Sequence, residues 1–449
     1  MQVPIGTTSF ERARGNLPTL ALVNMFAEAA PTEETGIALQ SRPGLDDRTA
    51  AMGAGPVAGL FKGDGVIDGA LYGISGGQAY RETTALGAVD GTGPASIAGF
   101  EDKLFFNAGG SVKVWDGASL TSVILPDNAP ARKLIVGGSR LVYIRADTEK
   151  FYWSNVLSTT IDGLSFASAE NQPDRALDIL FWTDTLLIFG SETVEPWPNT
   201  GDANLPFQVL EGRIFRRGIR ATGCATLFGP TYAWVTDRNQ VCIETPDNII
   251  SWAGLEAVIE ASATCSLFAF YLEGTEFLGL RLDTRFFAFS YRSRLWSEFT
   301  AYGQANWLPQ CFAAGVFGSS ADGVTMAWGS DWTDLGGVMD RRFRGGILLN
   351  SGGLTVNNFT IRTNPGETGY LTGTYADPSI EVRFSRDGGR SWGEWKRRSL
   401  GAQGEYRRLI RLNACGMFGH PGFMFEGRVS DPVDFRVSDV RINEPLGGR

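Results

Sequence analysis

The stretch from Ala169 to Trp197, AENQPDRALDILFWTDTLLIFGSETVEPW, alternates apolar segments with short polar turns. The pattern predicts an exposed turn, an apolar strand, a tight turn, a second apolar strand and then a third strand. The exposed turn falls at Gln172-Pro173-Asp174, and the first strand lies before the tight turn Thr183-Asp184. The second strand spans Leu186 to Phe189 and is followed by Gly190, and the third strand opens with Glu192. The stretch therefore predicts two tight hairpins within one antiparallel sheet.

The same hairpin pattern recurs along the chain. An apolar strand, a polar or glycine turn and a second strand begin at Leu71, Leu104, Leu141, Leu186, Tyr232, Phe277 and Val324. The intervals between these starts are 33, 37, 45, 46, 45 and 47 residues. A hairpin in every ~40–50 residues is typical of the four-stranded blade of a β-propeller. The sequence therefore predicts six or seven blades, with a pair of β-sandwiches as the alternative.

The composition agrees with an all-β protein that forms a hydrophobic core. Of the 449 residues, 43% are apolar and 20% charged, with 57 glycines and 12% aromatics, and this mixture favours short strands joined by many turns. The sequence contains neither the ~18–20 consecutive apolar residues of a membrane span nor an apolar segment near Met1, so we expect folding in a cytosol. Five scattered cysteines are expected to be buried thiols.

Charge and periodicity divide the chain into three predicted parts. These are an N-terminal segment at 1–50 that packs on the C-terminal domain, a β-propeller at 51–346, and a β-sandwich-like domain at 347–449 with alternating strands such as YRRLIRL from Tyr406 to Leu412. From Arg341 onward there are 17 Lys and Arg against 11 Asp and Glu, a net charge of +6, so the total of −9 leaves −15 for the first 340 residues. This distribution predicts either a basic domain that docks on an acidic partner or two solvated surfaces.

One motif has a defined local structure. The segment SRDGGRSW, from Ser385 to Trp392, matches the Asp-box hairpin of sialidases and other β proteins, in which an aspartate caps the turn and a tryptophan packs on the sheet. We predict a structural turn that uses four residues: Ser385, Asp387, Gly389 and Trp392.

The residues do not point to a catalytic site, a cofactor or a metal. His420 is the one histidine and lies in a loop-like FGHPG segment, the cysteines are unclustered, and the glycine-rich segments lack the order of a phosphate-binding loop. The acidic loop Gly63 to Gly69 lacks the ligand ladder of a calcium loop. No spacing selects a pair of glycosidase carboxylates. We therefore predict a protein that is not an enzyme.

Basic residues cluster in the C-terminal part. The candidates for a subunit or adaptor interface are Arg397, Arg398, Arg407, Arg408 and Arg411. Arginine suits such a contact because its guanidinium group forms bidentate ion pairs. A solvated rim is the alternative, and in a strand Arg407 and Arg408 would point to opposite faces.

The order of several motifs resembles that of the packaged-DNA stabilisation proteins of short-tailed phages, the tail hub or head-completion family. The motifs are VNMFAE from Val23, SRPGL from Ser41, AENQPD followed by LLIFGSETVE, and Arg217-Gly218-Ile219 followed by Cys224 and an aromatic strand at Tyr232 to Val235. The C-terminal order of RFSRDGGRSW, GEY and VSDPVDFRVSDVRI is similar to that of phage tail proteins more broadly.

The resemblance implies a propeller-bearing virion subunit that assembles as a hexameric ring beneath the dodecameric adaptor of the portal. It also implies that the ring plugs the channel after packaging, stabilises the packaged DNA, lets the genome pass through its lumen, and carries tail fibres, spikes or a needle. The family has no catalytic residues to transfer. A carbohydrate-binding or glycan-cleaving propeller within a tail is the alternative function.

Overall fold

The computed structural model describes residues 1–11, 20–31, 33–48, 51–63, 65, 67–169, 174–345, 353–367 and 372–445. Nearly every regular element is a strand, and one α-helix, α1, spans Ala253–Ala261. No helix within these ranges is long and apolar enough to cross a membrane. The N-terminal strands are β1 (Leu22–Val23), β2 (Met25–Ala29), β3 (Ile37–Ser41) and β4 (Leu45–Asp47).

Seven small antiparallel sheets follow one another along the chain. The first sheet contains β5 (Val57–Phe61), β6 (Tyr72–Ser75), β7 (Gln78–Arg81) and β8 (Thr84–Ala88). The second contains β9 (Ser96–Phe100), β10 (Lys103–Asn107), β11 (Lys113–Trp115) and β12 (Leu120–Ser122). The third contains β13 (Ala131–Gly137), β14 (Arg140–Arg145), β15 (Lys150–Trp153) and β16 (Phe166–Ser168). The next two are β17 (Ala176–Trp182), β18 (Thr185–Gly190) and β19 (Val194–Pro198); and β20 (Ala225–Phe228), β21 (Thr231–Val235) and β22 (Val241–Ile243). The sixth has β23 (Cys265–Leu272), β24 (Thr275–Leu282), β25 (Phe286–Ser290) and β26 (Trp296–Phe299), and the seventh has β27 (Pro309–Ala313), β28 (Val316–Ser319), β29 (Thr325–Trp328), β30 (Thr333–Asp334) and β31 (Gly337–Val338).

These sheets are the blades of a closed propeller. The first strand of each blade contacts the first strand of the next, and β27 of blade 7 contacts β5 of blade 1. Apolar clusters fill the seams between successive blades, including an aromatic cluster between blades 6 and 7 around Trp307. A single blade cannot bury both of its faces, and ring closure solves this. The predicted all-β propeller is confirmed, with seven blades.

Ring closure uses a strand from the start of the chain. β4 pairs with β29 in antiparallel register, Met326 opposite Asp47 and Trp328 opposite Leu45, and it separates β29 from β30. The hairpin expected to begin at Val324 is therefore wrong, because β29 forms its hairpin with the preceding strand, β28. A local pattern cannot reveal this exchange, since the partner strand lies about 280 residues away in sequence.

The remaining strands form a two-sheet sandwich. They are β32 (Arg341–Arg344), β33 (Leu354–Thr363), β34 (Ser379–Ser385), β35 (Lys396–Ser399), β36 (Ile410–Phe418), β37 (Met424–Val429) and β38 (Arg436–Ile442). One sheet has the order β1-β32-β37-β34-β35 and continues blade 6 through the pairing of β1 with β26, and the other has the order β2-β3-β38-β33-β36. A shared core of aliphatic and phenylalanine side chains joins them. The predicted sandwich-like fold of this region is confirmed.

Two local expectations are wrong. Asp174 is buried rather than part of an exposed turn, because its carboxylate accepts the backbone N–H groups of Glu192 at 2.7 Å and Thr193 at 2.9 Å; Gln172 and Pro173 lie outside the described residues. The strand expected from Tyr406 begins only at Ile410, so Arg407 and Arg408 occupy an exposed turn.

Candidate interaction site

The Asp-box residues meet in one hairpin after β34. The Gly389 N–H donates to Ser385 Oγ at 2.8 Å, and the Ser391 N–H donates to the Asp387 carboxylate at 2.9 Å. Hydrogen bonds from the Ser391 hydroxyl and backbone hold the pKa of Asp387 below its usual value. Trp392 closes the turn by donating its indole N–H to the Gly389 carbonyl at 3.1 Å.

This hairpin covers a ladder of ion pairs on the outer face of the sandwich. The guanidinium groups of Arg344 and Arg383 lie 5.4 and 5.1 Å from the Trp392 ring centroid, a cation–π distance. Both arginines also bind the fully buried carboxylate of Glu426. The two guanidinium groups share one carboxylate, so each arginine of this face has an ionic partner while part of the positive charge of the domain remains here.

The arginines predicted to form an interface lie together at one edge of the sandwich, and Arg397 is paired directly opposite Glu381, which binds Arg428. Arg397 and Arg398 are on β35, Arg407 and Arg408 are in the turn before β36, and Arg411 is on β36. β35 and β36 are the last strands of their respective sheets. The Arg398 Nε donates to the Arg411 carbonyl at 3.2 Å, so the two sheets meet here. We call these five residues the basic edge.

Most of the positive charge of the basic edge is uncompensated. Arg408 pairs with Glu405 at 3.3 Å, whereas Arg397 donates to Ser379 Oγ and Arg411 to the Glu444 carbonyl. Within the described ranges, no carboxylate forms an ion pair with Arg397, Arg398, Arg407 or Arg411. Unpaired arginines in water attract anionic surfaces at short range.

A groove beside the basic edge adds apolar surface. Its volume is about 580 Å³, and its lining includes three arginines (Arg407, Arg408 and Arg411), two carboxylates (Glu33 and Glu444), Tyr406 and Leu409. Tyr406 is 61% exposed and Leu409 54% exposed. Exposed apolar groups among unpaired arginines are typical of a protein contact, because aromatic side chains and arginine are enriched in interfaces.

The junction between propeller and sandwich contains a buried polar cluster that the sequence analysis did not assign. All five N–H donors of Arg42 are satisfied, by Asn24 Oδ1, the Pro43 and Thr300 carbonyls and both oxygens of Asp334. Arg42 also lies 5.4 and 5.3 Å from the ring centroids of Phe299 and Trp307. The signal was present in the sequence, since Asn24 and Arg42 belong to the VNMFAE and SRPGL motifs.

The other candidates for chemistry do not converge on a site. His420 is exposed in a turn between β36 and β37. Cys224, Cys242 and Cys415 are buried as expected, whereas Cys265 and Cys311 are half-buried. Desolvation raises the pKa of the Cys242 and Cys311 thiols to about 12. Across the part of the chain that the structure describes, no three His, Cys, Asp or Glu side chains are grouped as metal ligands would be. The loop from Gly63 to Gly69 is only partly within the described residues.

The fold and these surfaces can be compared with known proteins. Residues 1–244 match the model of the phage stabilisation family described as "Bacteriophage P22 Gp10, beta-propeller". The chain is also 24% identical over 231 residues to the tail hub protein gp10 of Salmonella phage P22, a match covering 48% of each protein. The match thus spans about half the length of that curated relative.

Several solved structures are similar at low identity. BBS1N in complex with ARL6DN is 11% identical with a TM-score of 0.42, over 66% of this chain and 98% of that one. The Cps50 (Swd1) propeller domain of Myceliophteria thermophila is 8% identical with a TM-score of 0.42, over 64% and 99%. PorZ of Porphyromonas gingivalis is 12% identical with a TM-score of 0.38, over 79% and 46%.

Proposed function

Because this chain belongs to the family of the bacteriophage P22 Gp10 β-propeller, we propose that it is a structural subunit of a phage tail hub. The observation that carries the proposal is the match over residues 1–244, which includes the N-terminal strands and the first five blades. The similarity to a protein described as a tail hub protein supports the same role. A non-catalytic role is part of the proposal, because the relative is described as a tail hub protein.

The proposed hub has a defined place in the virion. The protein is made in the host cytoplasm and joins the tail below the portal, where six copies form a ring on the portal–adaptor complex. The ring plugs the channel after packaging, stabilises the packaged DNA and carries tail fibres, spikes or a needle. The acidic first 340 residues, with a net charge of −15, support a lumen along which DNA slides, because acidic groups do not grip phosphates.

The assembly step is tested by the mass of the protein in solution. We expect light scattering at about 500 mM salt, where exposed charges are screened, to give 48.6 kDa for the protein alone. Six copies should be added when the protein is mixed with the portal–adaptor complex of its phage. The protein mixed with a portal lacking the adaptor is the matched control. A chain that remains at 48.6 kDa and does not bind the complex would overturn the hub proposal.

A further inference from the structure

One face of the propeller is acidic. The turns that join the first and second strands of each blade open onto this face, as do the loops that follow the third strands. Hydrogen bonds between such segments support a shared face: the Leu157 N–H donates to the Ser139 carbonyl at 3.0 Å, and the Asn199 N–H to the Asp184 carbonyl at 2.9 Å. Taking the loop after β19 as far as Phe207, twelve carboxylates lie in the described parts of these segments: Asp68, Glu82, Glu101, Asp102, Asp116, Asp162, Asp184, Asp202, Glu244, Asp247, Glu273 and Asp331.

The acidic face has few cations to balance these groups. In the described parts of the same turns and loops, taking the loop after β19 as far as Phe207, the basic residues are Lys62, Arg292 and Arg294, and Arg81 at the end of β7 pairs with Asp68. Arg213 and Arg216 follow where the chain runs back antiparallel to β19. The acidic excess is structural in origin, because several of the carboxylates occupy hairpin turns with positive φ, such as Asp102 at 56° and Asp184 at 57°. Aspartate tolerates that conformation better than most residues.

Blades 3 and 4 add exposed apolar groups to this face. Leu164, in the loop after β15, is 87% exposed, and Leu205, in the loop after β19, is also exposed. These two loops flank the same turn, since Arg140 donates to the Ala203 carbonyl at 3.0 Å and Ser139 binds the loop after β15. We call Val156, Leu157, Leu164 and Leu205, with Asp162, Asp184 and Asp202, the acidic patch.

The acidic patch and the basic edge are complementary in character. Each combines exposed apolar side chains with charge of one sign, and the signs are opposite. Complementary charge selects partners and orients their encounter, while the apolar groups contribute the buried area that holds a contact together.

The two surfaces lie at opposite ends of the molecule. The sandwich extends from blade 6, and β35 is five strands beyond β26 in their common sheet, roughly 24 Å away at ~4.8 Å per strand. In a ring of seven blades, blades 3 and 4 lie across the propeller from blades 6 and 7. The basic edge of one chain is therefore directed away from its own acidic patch.

From this placement we propose that the basic edge of one chain docks on the acidic patch of a second copy, head to tail. Such a contact uses two different surfaces, so it propagates from copy to copy and closes into a ring when the rotation between copies allows it. This contact would be the interface between subunits of the proposed hub, and its closure into a ring rests on that proposed function.

A pair of complementary variants tests the contact. R398E/R407E reverses the charge of two exposed side chains that form no ion pair among the described residues, and L164R/L205R changes the acidic patch without removing a capping aspartate. R213E/R216E, on exposed arginines after β19, is the control for the same change in net charge. Circular dichroism and melting temperatures establish that all variants fold.

Sedimentation velocity at about 50 mM and 500 mM salt gives the result, because salt screens exposed charges. We expect the wild type to associate in low salt, with an association constant at least ~10-fold smaller in either variant or in high salt and within ~2-fold for the control. Mixing the two variants must restore at least a dimer, since one intact edge meets one intact patch. The proposed contact would be overturned if the wild type stayed monomeric in low salt or if R398E/R407E associated as strongly as the wild type. A mixture of the two variants that formed no dimer would also overturn it.

The test separates this contact from the hub proposal. If the wild type associates as described but does not bind the portal–adaptor complex, the contact stands and the hub role is overturned. If R398E/R407E forms complete rings on the complex, the hub role stands and the contact is overturned.

Discussion

Arg42 and Asp334 illustrate how single residues connect the two halves of the molecule. Both side chains are fully buried, and the pair joins the N-terminal segment to blade 7 beneath the sandwich. A buried ion pair is costly to break, because the remaining partner keeps an uncompensated charge away from water.

We therefore expect Asp334→Asn to lower the free energy of unfolding by about 3–5 kcal/mol, since Arg42 retains its charge among Phe299 and Trp307. Urea denaturation measures the loss. Asp46→Asn, an exposed aspartate on the adjoining strand β4, is the matched control and should change stability by no more than about 0.5 kcal/mol. Equal effects of the two substitutions would contradict the structural role of the pair.

Asp387 gives a prediction about pH. Its pKa in the folded protein lies below the usual 3.8, because Ser391 donates hydrogen bonds to the ionised carboxylate. The stabilisation is therefore present above about pH 3.8 and is lost as the pH falls through the lower pKa of the folded state. We expect the wild type to be more stable than Asp387→Asn at neutral pH and the difference to shrink in acid. Thermal melts of both proteins between pH 7 and pH 2 measure this, and a constant difference would refute it.

Cys242, which is buried, and Cys311, which is half-buried, give a prediction about reactivity. Burial raises the pKa of Cys242 and Cys311 from 9.0 to about 12, so their thiolate fraction at pH 8 falls roughly a thousandfold. Ellman's reagent should label these two thiols at least ~100-fold more slowly in the native protein than in urea. The raised pKa also means that stability is intact below pH 9 and declines as the pH rises toward 12. Rapid native labelling, located by peptide mass spectrometry, would show that these sites open.

At the scale of elements, the closing strand is the feature with the largest expected effect. Leu45 on β4 is fully buried against the aromatic cluster between blades 6 and 7, whereas Leu164 is an exposed leucine of the same propeller. We expect Leu45→Ala to cost about 2–5 kcal/mol, from lost apolar burial and the cavity left behind, and Leu164→Ala almost nothing. Chemical denaturation of the two variants measures the contrast. Comparable stability would mean that β4 does not seal the ring.

The hairpins were predictable because their signals are local. The turn at Thr183-Asp184 follows an apolar strand with the right period, and the structure places β17, β18 and β19 as expected. Blade 7 could not be predicted in the same way, since β4 enters it from the other end of the sequence. The turn at Arg407 was also missed, because YRRLIRL alternates like a strand while Tyr406 and Leu409 remain in water.

At the scale of the whole molecule, the sequence shows that acidic and basic residues are concentrated in different parts of the chain, but it does not show which of these charges are paired in the fold. Counting charges gave an acidic body and a basic C-terminal part. Only the structure shows that arginines of the outer face form ion pairs around Glu426, and that arginines without an ion pair among the described residues collect at the distal strands β35 and β36. Pairing across strands from distant parts of the chain determines which charges are compensated, and composition does not contain that information.

The connection between propeller and sandwich leads to a prediction about cooperativity. β1 pairs with β26 of blade 6 on one side and with β32 of the sandwich on the other, so a single sheet crosses the junction. β3 pairs with β38, while β4 lies in blade 7. Unfolding either half therefore exposes strands of the other, and units joined in this way unfold together.

We expect differential scanning calorimetry to show one transition, whose calorimetric and van't Hoff enthalpies agree. The variant Val23→Pro removes a backbone N–H of β1 at the residue paired with Arg342 of β32, next to Asn24, whose N–H donates to the Glu298 carbonyl at 2.8 Å. It should therefore split the transition into two. Ile37→Pro, at the exposed start of β3, is the control and should retain a single transition. Two well-separated transitions in the wild type would mean that the propeller and the sandwich are stable independently, and that the N-terminal strands connect them without coupling their unfolding.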